Sequence, residues 1–400
     1  MSPLSATTLN NALSEDLRLL LDLRHHDPAQ ILGRHAQDGQ CTVRVRIPGA
    51  RAAWLLPQEL PLQRLDDTDL FFWDGPSQDI PPHPTYRWED EAGTLQERMD
   101  AYSFPTLLED AELMQFHQGR HTRAWQLLGA HLRTVDGVAG TLFAVWAPNA
   151  ERVSVVGEFN QWDGRIHPMR SRGYTGVWEL FIPAVTEGQL YKFEIRSRPH
   201  GTLLVKTDPY GRQFEMRPGT AARVCGPQRH DWRDADWMAS REGWQNKPIS
   251  IYEVHLGSWR RRPNGEFLGY RELADQLIPH VQSLGFTHIE LLPITEHPLD
   301  ASWGYQSTGF FAPTSRHGEA DGLCEFVDRC HQAGIGVYLD WVPGHFPKDV
   351  FGLARFDGSA LYEHEDWRRG EHKEWGTLVF NYARNEVRAF LLSSALYWLK

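Results

Sequence analysis

Residues 335–347 read Ile-Gly-Val-Tyr-Leu-Asp-Trp-Val-Pro-Gly-His-Phe-Pro. Ile335, Val337 and Leu339, entered through Gly334, make the short apolar run of a buried strand. Asp340 and His345 sit at its C-terminal end, separated by Pro343 and Gly344, which stop the strand and turn the chain. In sheets built of β-α units, ligands are met at the carboxyl ends of strands. Taken alone, an Asp and a His in a loop fit local hydrogen bonding equally well, so the neighbouring strands have to decide.

Upstream, Ile249–His255 and Phe286–Leu292 are strand-like runs. Between them Tyr270–Leu284 carries Leu273, Leu277, Ile278, Val281 and Leu284 at helical spacing, and Asp321–Ala333 repeats the pattern with Leu323, Phe326, Val327 and Cys330. A last helix is expected from Asn385, a suitable N-cap, to Lys400. The order β-α-β-α-β-α calls for a parallel sheet with right-handed crossovers. Three such units cannot close a barrel, and residues 249–400 fall short of the roughly 250 residues a closed barrel takes. With an open sheet edge and no C-cap glycine after Tyr397, the sequence reads as the front part of a longer protein.

The N-terminal half has a different period. Residues 1–25 read as a helix with Leu17, Leu20, Leu21 and Leu23 near one face, followed by short alternating strands such as Thr42–Ile47. Leu32-Gly-Arg-His35 returns as Leu128-Gly-Ala-His131, and Val45-Arg-Ile-Pro-Gly-Ala50 as Val145-Trp-Ala-Pro-Asn-Ala150. Two duplicated all-β modules are the simplest account, joined by a polar, proline-bearing connector over residues 76–102. Four strand candidates in the second copy (141–146, 153–156, 176–181, 190–195) fit a small immunoglobulin-like β-sandwich. Its loop Glu158-Phe-Asn-Gln-Trp-Asp-Gly164 presents Trp162 among hydrogen-bonding groups, as a sugar-stacking residue would be, although a Trp capping the core reads the same way. The first copy has no such loop and looks structural. The expected domains are 1–110, a degenerate β-sandwich; 111–228, the second sandwich; and 229–400, an incomplete (β/α)8 barrel entered through a linker at 230–247.

Composition narrows the function classes. A net charge of −11 disfavours nucleic acid, which needs clustered Lys and Arg. The four cysteines have neither metal nor disulfide-framework spacing, so buried free thiols in a reducing compartment are expected. Glu15, Asp16 and Arg18 break up the best N-terminal apolar run, and no stretch is long enough to span a bilayer, which makes the cytoplasm the expected location. His364, Glu365, Asp366, Glu371 and His372 lie among Arg368, Arg369, Lys373 and Glu374, and read as a solvated charged loop rather than metal ligands. Neither a phosphate loop nor a nucleophile elbow is present.

With these pieces laid out, the chain resembles the bacterial 1,4-alpha-glucan (glycogen) branching enzymes of the alpha-amylase superfamily. The stretches that carry the resemblance are FAVWAPNAERVSVVGEFNQWDG, GVWELFIP, YKFEI, ISIYEVHLGSW, WGYQSTGFFAPTSRHG and HQAGIGVYLDWVPGHFPKD. The second module resembles the family 48 carbohydrate-binding modules. The resemblance implies a retaining double displacement that cuts an alpha-1,4 linkage and passes the chain to a 6-hydroxyl. Two carboxyls roughly 5–5.5 Å apart do such work, and the resemblance puts them, with a third stabilising carboxyl, beyond Lys400. The 400-residue chain alone is then expected to be inactive. It further implies that Asp340 and His345 hydrogen-bond the sugar at the cleavage site, that Tyr305 stacks on it, with Trp303 and Gln306 alongside, and that Trp162 binds glycan on the surface. No cofactor or metal is implied; the partner is an alpha-glucan, and the complete enzyme would be a monomer. A maltooligosyl trehalose hydrolase or debranching relative, and a non-catalytic glucan-binding protein, are the alternatives.

Overall fold

The computed structural model describes residues 14–400. Helical residues begin at Glu15–Leu21, where the Ser14 hydroxyl accepts the Leu17 amide at 3.2 Å and Leu17 and Leu20 are buried. The remainder of the helix expected over 1–25 lies outside the described residues or, from Asp22 on, is a turn and irregular chain. The described residues form two compact units: one of residues 14–114, 130–206 and 357–359, the other of 115–129, 207–356 and 360–400.

The first unit contains two copies of one strand plan. In the first copy, strands 33–37, 40–46, 70–76 and 63–64 form one antiparallel sheet, and strands 60–61, 50–56, 85–90 and 95–99 form another. In the second copy, strands 129–135, 138–146, 177–183 and 170–171 repeat the first sheet. Strands 150–157, 190–197 and 203–206 repeat the second. A bulge at Ala50/Ala52 recurs at Ala150/Arg152. Alternation buries Val43, Val45, Leu55 and Phe71 in one core and Phe143, Val145, Val153 and Phe193 in the other.

The connector expected over 76–102 is corrected by this sheet. Strands Thr85–Asp90 and Leu95–Met99 form a hairpin that completes the first module. Tyr86 and Trp88 alternate inward beneath polar neighbours, and Gly93, at φ +81°, turns the chain. The high polar content and the prolines hid a half-buried strand.

In the second unit, strands β1 (Ile251–Val254), β2 (His288–Leu291) and β3 (Gly336–Leu339) form a parallel sheet in the order β1-β2-β3, with Ile251, His288 and Gly336 aligned. Helices α1 (Tyr270–Ser283) and α2 (Ala320–Gln332) connect them, and α3 (Asn385–Trp398) follows β3. Leu273, Leu277 and Val281 of α1 and Phe326 and Cys330 of α2 pack on Ile289 and Leu291. Each fully buried Leu or Phe contributes roughly 1.5–3 kcal/mol. A Cβ at Gly336 would lie 2.2 Å from the His288 ring, so any side chain there would displace that ring. Arg384, not Asn385, is the N-cap of α3, and its side chain makes no capping bond. Residues 207–228, grouped with the second sandwich in the sequence reading, belong to this unit, where Tyr210 stacks on Phe311 and meets Phe390 edge-on. No helix of the described residues is long and apolar enough to cross a membrane.

Candidate functional site at the carboxyl ends of the parallel strands

The Asp340 amide donates to Leu291 O at 3.0 Å and the Leu292 amide to Val254 O at 3.0 Å, so the three strands release their chains side by side. Behind Asp340, the Trp341 indole donates to Ser394 Oγ at 3.2 Å, and Ser394 donates to Phe310 O at 2.9 Å. These bonds tie the strand end to α3.

Tyr305 arrives on a turn. Residues Asp300–Ser302 make one helical turn, Trp303 adopts φ 54°, and Gly304 adopts φ +89°. A Cβ on Gly304 would fall 2.1 Å from Pro293 O, so glycine is required there. The turn is pinned by the Tyr305 amide to Ser302 O at 3.0 Å, and by Ser307, which donates to Gly304 O at 3.1 Å. The two large aromatic residues flanking Gly304 are thereby presented half-exposed, Trp303 at 50% and Tyr305 at 40%.

The sequence-predicted residues meet. The Tyr305 hydroxyl donates to Asp340 Oδ2 at 2.7 Å, and His345 Nε2–H donates to the Tyr305 carbonyl at 2.8 Å. The bond to Asp340, then desolvation, pushes the Tyr305 hydroxyl up to about 12, so it stays a donor at neutral pH. Trp303 turns to a different neighbour, stacking on His255 at 5.3 Å and 14°. Gln306 is half-buried and takes no part in this hydrogen-bonded set.

Sequence reasoning missed three neighbours. The charged loop after β3 is not simply solvated: strands His345–Pro347, Thr377–Val379 and Glu371–His372 pair into a small antiparallel sheet. That sheet brings His372 and Trp375 to the His345 ring, at centroid separations of 6.0 and 5.2 Å. Tyr382 braces the Pro343-Gly344 turn, its hydroxyl 3.2 Å from both carbonyls. The available signal was Trp375 itself, a large aromatic inside a charged run. Elsewhere in that loop, Asp366 caps the turn 367–370 through the Arg368 amide, and Lys348 pairs with Glu371.

Trp162 lies in the first unit. It is 41% exposed and, like Gln161, has a positive φ, 62° and 56° respectively. The loop is held from below by buried Asn160, which accepts the Gly157 amide at 2.8 Å and donates to Val155 O at 2.8 Å. Two consecutive left-handed residues with side chains are costly, and persist only where the surroundings hold them.

At the ends of the parallel strands the structure thus sets a half-exposed aromatic face beside a carboxylate and an imidazole. Three family models match in succession. They are the N-terminal domain of the alpha-1,4-glucan branching enzyme GlgB over 13–102, carbohydrate-binding module 48 (isoamylase N-terminal domain) over 127–211, and the alpha amylase catalytic domain over 265–377. The chain is similar to 1,4-alpha-glucan branching enzymes. The chain is 54% identical over 390 residues to 1,4-alpha-glucan branching enzyme GlgB of Methylococcus capsulatus, covering 97% of this chain and 53% of that protein. It is 58% identical over 388 residues to the GlgB of Methylobacillus flagellatus, with 96% and 53% covered. The chain therefore spans about half the length of the branching enzymes it matches. Among solved structures, a Salmonella typhimurium protein described as an alpha amylase superposes with a TM-score of 0.53 at 26% identity, over 68% of this chain and 41% of that one. A pullulanase from Paenibacillus barengoltzii gives 0.52 at 20%, over 68% and 46%, a likeness of fold alone.

Proposed function

We propose that this chain forms the glucan-holding part of a glycogen branching enzyme. In this reading β1 to β3 and their helices are the first units of a (β/α)8 catalytic barrel, preceded by a structural β-sandwich and a glucan-binding one. The reaction is the cutting of an alpha-1,4 linkage and transfer of the freed chain to a 6-hydroxyl, by retaining double displacement on a pair of carboxyls. The protein is cytoplasmic, monomeric and free of cofactor.

The observation that supports the site's role is the bond from Tyr305 to Asp340. Asp340 accepts a hydroxyl proton that stays on its oxygen, and so is built to orient a ring and accept its hydroxyls rather than to deliver a proton. Tyr305 offers a stacking face fixed by that bond, and His345 braces the turn beneath it. Holding a sugar against Tyr305 while Asp340 takes its hydroxyls favours the distorted, oxocarbenium-like state, and contributes to rate through positioning. Trp162 would hold another part of the same polymer.

The test uses the full-length protein on amylose. Loss of iodine absorbance without new reducing ends is expected, and a stoichiometric rise of reducing ends would overturn the reading in favour of a hydrolase. Tyr305→Ala should lower kcat/KM by about a hundredfold, the cost of lost positioning.

A further inference from the structure

Inside the first unit, a small cavity of about 10 Å³ lies where the two β modules meet. That is room for one water molecule. Arg46, Tyr86, Asp100 and Tyr102 line it from the first module and His167 from the second, and its surface is largely polar. We propose that Asp100 is a positioning residue for the loop that presents Trp162: through one water in this cavity it holds His167, and His167 holds Asn160. The proposal rests on the reading of Trp162 as a glycan contact and extends that site into the first module.

On the second-module side the connections are direct. Asn160 donates Nδ2–H to His167 Nδ1 at 3.0 Å and to Val155 O at 2.8 Å, and its Oδ1 accepts the Gly157 amide at 2.8 Å. The Gly157 carbonyl in turn accepts the Trp162 amide at 2.9 Å, and the Asn160 carbonyl accepts the Asp163 amide at 3.0 Å. Burial, followed by the charge of Arg98, holds the His167 imidazole well below its usual range, so the ring is neutral. Because Nδ1 accepts, its one proton is on Nε2. That N–H has no acceptor among the described residues.

On the first-module side Asp100 is 2% exposed. Its Oδ1 accepts the Tyr102 amide at 3.1 Å, whereas the buried Oδ2 has no partner among the described residues. The other polar groups around it are engaged. The Tyr102 hydroxyl donates to Pro168 O at 2.9 Å, and Arg170 donates to Tyr102 O at 3.0 Å. Arg46 uses its guanidinium on Asp69 and on the carbonyls of Leu20 and Leu21, and Arg98 pairs with the Tyr86 hydroxyl. One donor and one acceptor are left, on opposite modules, beside space for a single water. A water that takes the His167 N–H and gives a hydrogen to Asp100 Oδ2 satisfies both.

The charge on Asp100 sets the direction of that bridge. Burial brings its carboxyl up to about 7, against the Tyr102 amide and Arg170. The guanidinium groups of Arg46, Arg98 and Arg170 are fixed charges, and burial pushes the Tyr86 and Tyr102 hydroxyls up, so Asp100 is the group that titrates here. Once ionised, Oδ2 is a charged acceptor and completes the chain from His167. Once protonated, with Oδ1 committed to the Tyr102 amide, Oδ2 becomes a second donor facing the His167 N–H, and the relay is broken. His167 and Asn160 are then held less firmly, and with them Gln161 and Trp162, whose left-handed backbones depend on their surroundings. Stability runs the other way, falling as the buried carboxyl ionises.

The test measures retention on glycogen-containing gels and melting of the full-length protein at pH 6 and pH 8. The wild type should bind glycogen about threefold more tightly at pH 8, the difference between a charged and a neutral hydrogen bond in the chain. Asp100→Asn keeps the cap on Tyr102 and mimics the acid. It should bind at both pH values as the wild type does at pH 6, while melting no lower than the wild type at pH 8. A merely structural Asp100 would instead make retention follow stability. Added to Trp162→Ala, Asp100→Asn should have no further effect on retention. A wild type that binds equally at both pH values, or an Asp100→Asn variant that matches the wild type at pH 8, overturns the role of Asp100, while weakened retention in Trp162→Ala upholds the parent reading. Unchanged retention in Trp162→Ala overturns the parent reading, and the proposal with it.

Discussion

In the first β module the chain passes from strand 50–56 to strand 63–64 through residues 57–62, whereas in the second it passes from 150–157 to 170–171 through residues 158–169. Around that connection the modules match strand for strand, down to the bulge. The longer loop carries Trp162, and the surrounding residues have changed to hold it. At the bulge, Ala52 of the first copy corresponds to Arg152 of the second, which is buried, pairs with Glu194 and donates to Gly164 O at 3.1 Å. A duplicated scaffold thus gains a presented aromatic by lengthening one connection and anchoring it with a buried ion pair. The first copy, with its aromatics turned inward, packs.

The largest effect should come from removing an inward aromatic. Trp88 is buried, with the Arg98 guanidinium 5.1 Å above its ring and Tyr86 5.8 Å away. Trp88→Ala should destabilise the first unit by about 3–5 kcal/mol in urea unfolding. Protein that remains folded should migrate on a glycogen-containing gel as the wild type does; weakened retention would break the division of labour between the modules. Next is Arg152→Ala, which makes the second copy resemble the first at its bulge. It leaves Glu194 without its cation in a site only one-fifth exposed, and should cost about 3 kcal/mol, the low end for halving a buried pair. Glycogen retention should fall as the 158–169 loop loses its anchor at Gly164.

A smaller effect reports on the end of the first module. Asp100 caps the turn at Tyr102 through its amide at 3.1 Å, and Asp208 does the same for Tyr210 at 2.8 Å. Burial pushes the Asp100 carboxyl up to about 7, partly offset by the hydrogen bond from Tyr102 and by Arg170. A carboxyl whose folded pKa is raised binds its proton more tightly when folded. Its contribution to stability is therefore full below about pH 4 and is lost as pH rises through about 7. Asp100→Asn should melt with the wild type at pH 4 and above it at pH 8, by on the order of 1 kcal/mol. Equal melting at both values would show that Asp100 is solvated.

The legible parts of this fold were those written in one period. β1 to β3, α1 and α2 carry runs of Val, Ile and Leu at spacings of two or three to four, and the repeated LGxH and PxA segments exposed the duplication. The hairpin at 85–99 escaped because Thr, Arg, Glu and Asp outnumber Tyr86 and Trp88, and half-buried strands on a polar surface read as connector. Asp340 and His345 were legible as residues at a strand end, but Tyr305 and the joining of the three only through resemblance, since 35 residues separate Tyr305 from Asp340 in sequence and no spacing joins them. Trp375 and His372 were harder still: beyond one large aromatic in a charged run the sequence offered no signal, because a three-stranded sheet too short to show a period brings them to His345.

The smallest expected change in stability belongs to Trp162, and it separates the modules most sharply. Its side chain is well exposed, so Trp162→Ala should shift stability by no more than about 0.5 kcal/mol while weakening retention on a glycogen gel. The backbone supplies a second measurement. Alanine at φ 62° suffers the same clash of Cβ with the backbone as tryptophan, whereas glycine does not. Trp162→Gly should therefore be more stable than Trp162→Ala by up to about 1 kcal/mol and bind glycogen no better. A loop kept only to cap the sandwich would behave in the opposite way: both substitutions would destabilise the module, and neither would change retention. Strain relieved as binding is lost would mean that the second module holds this turn for what it presents to solvent.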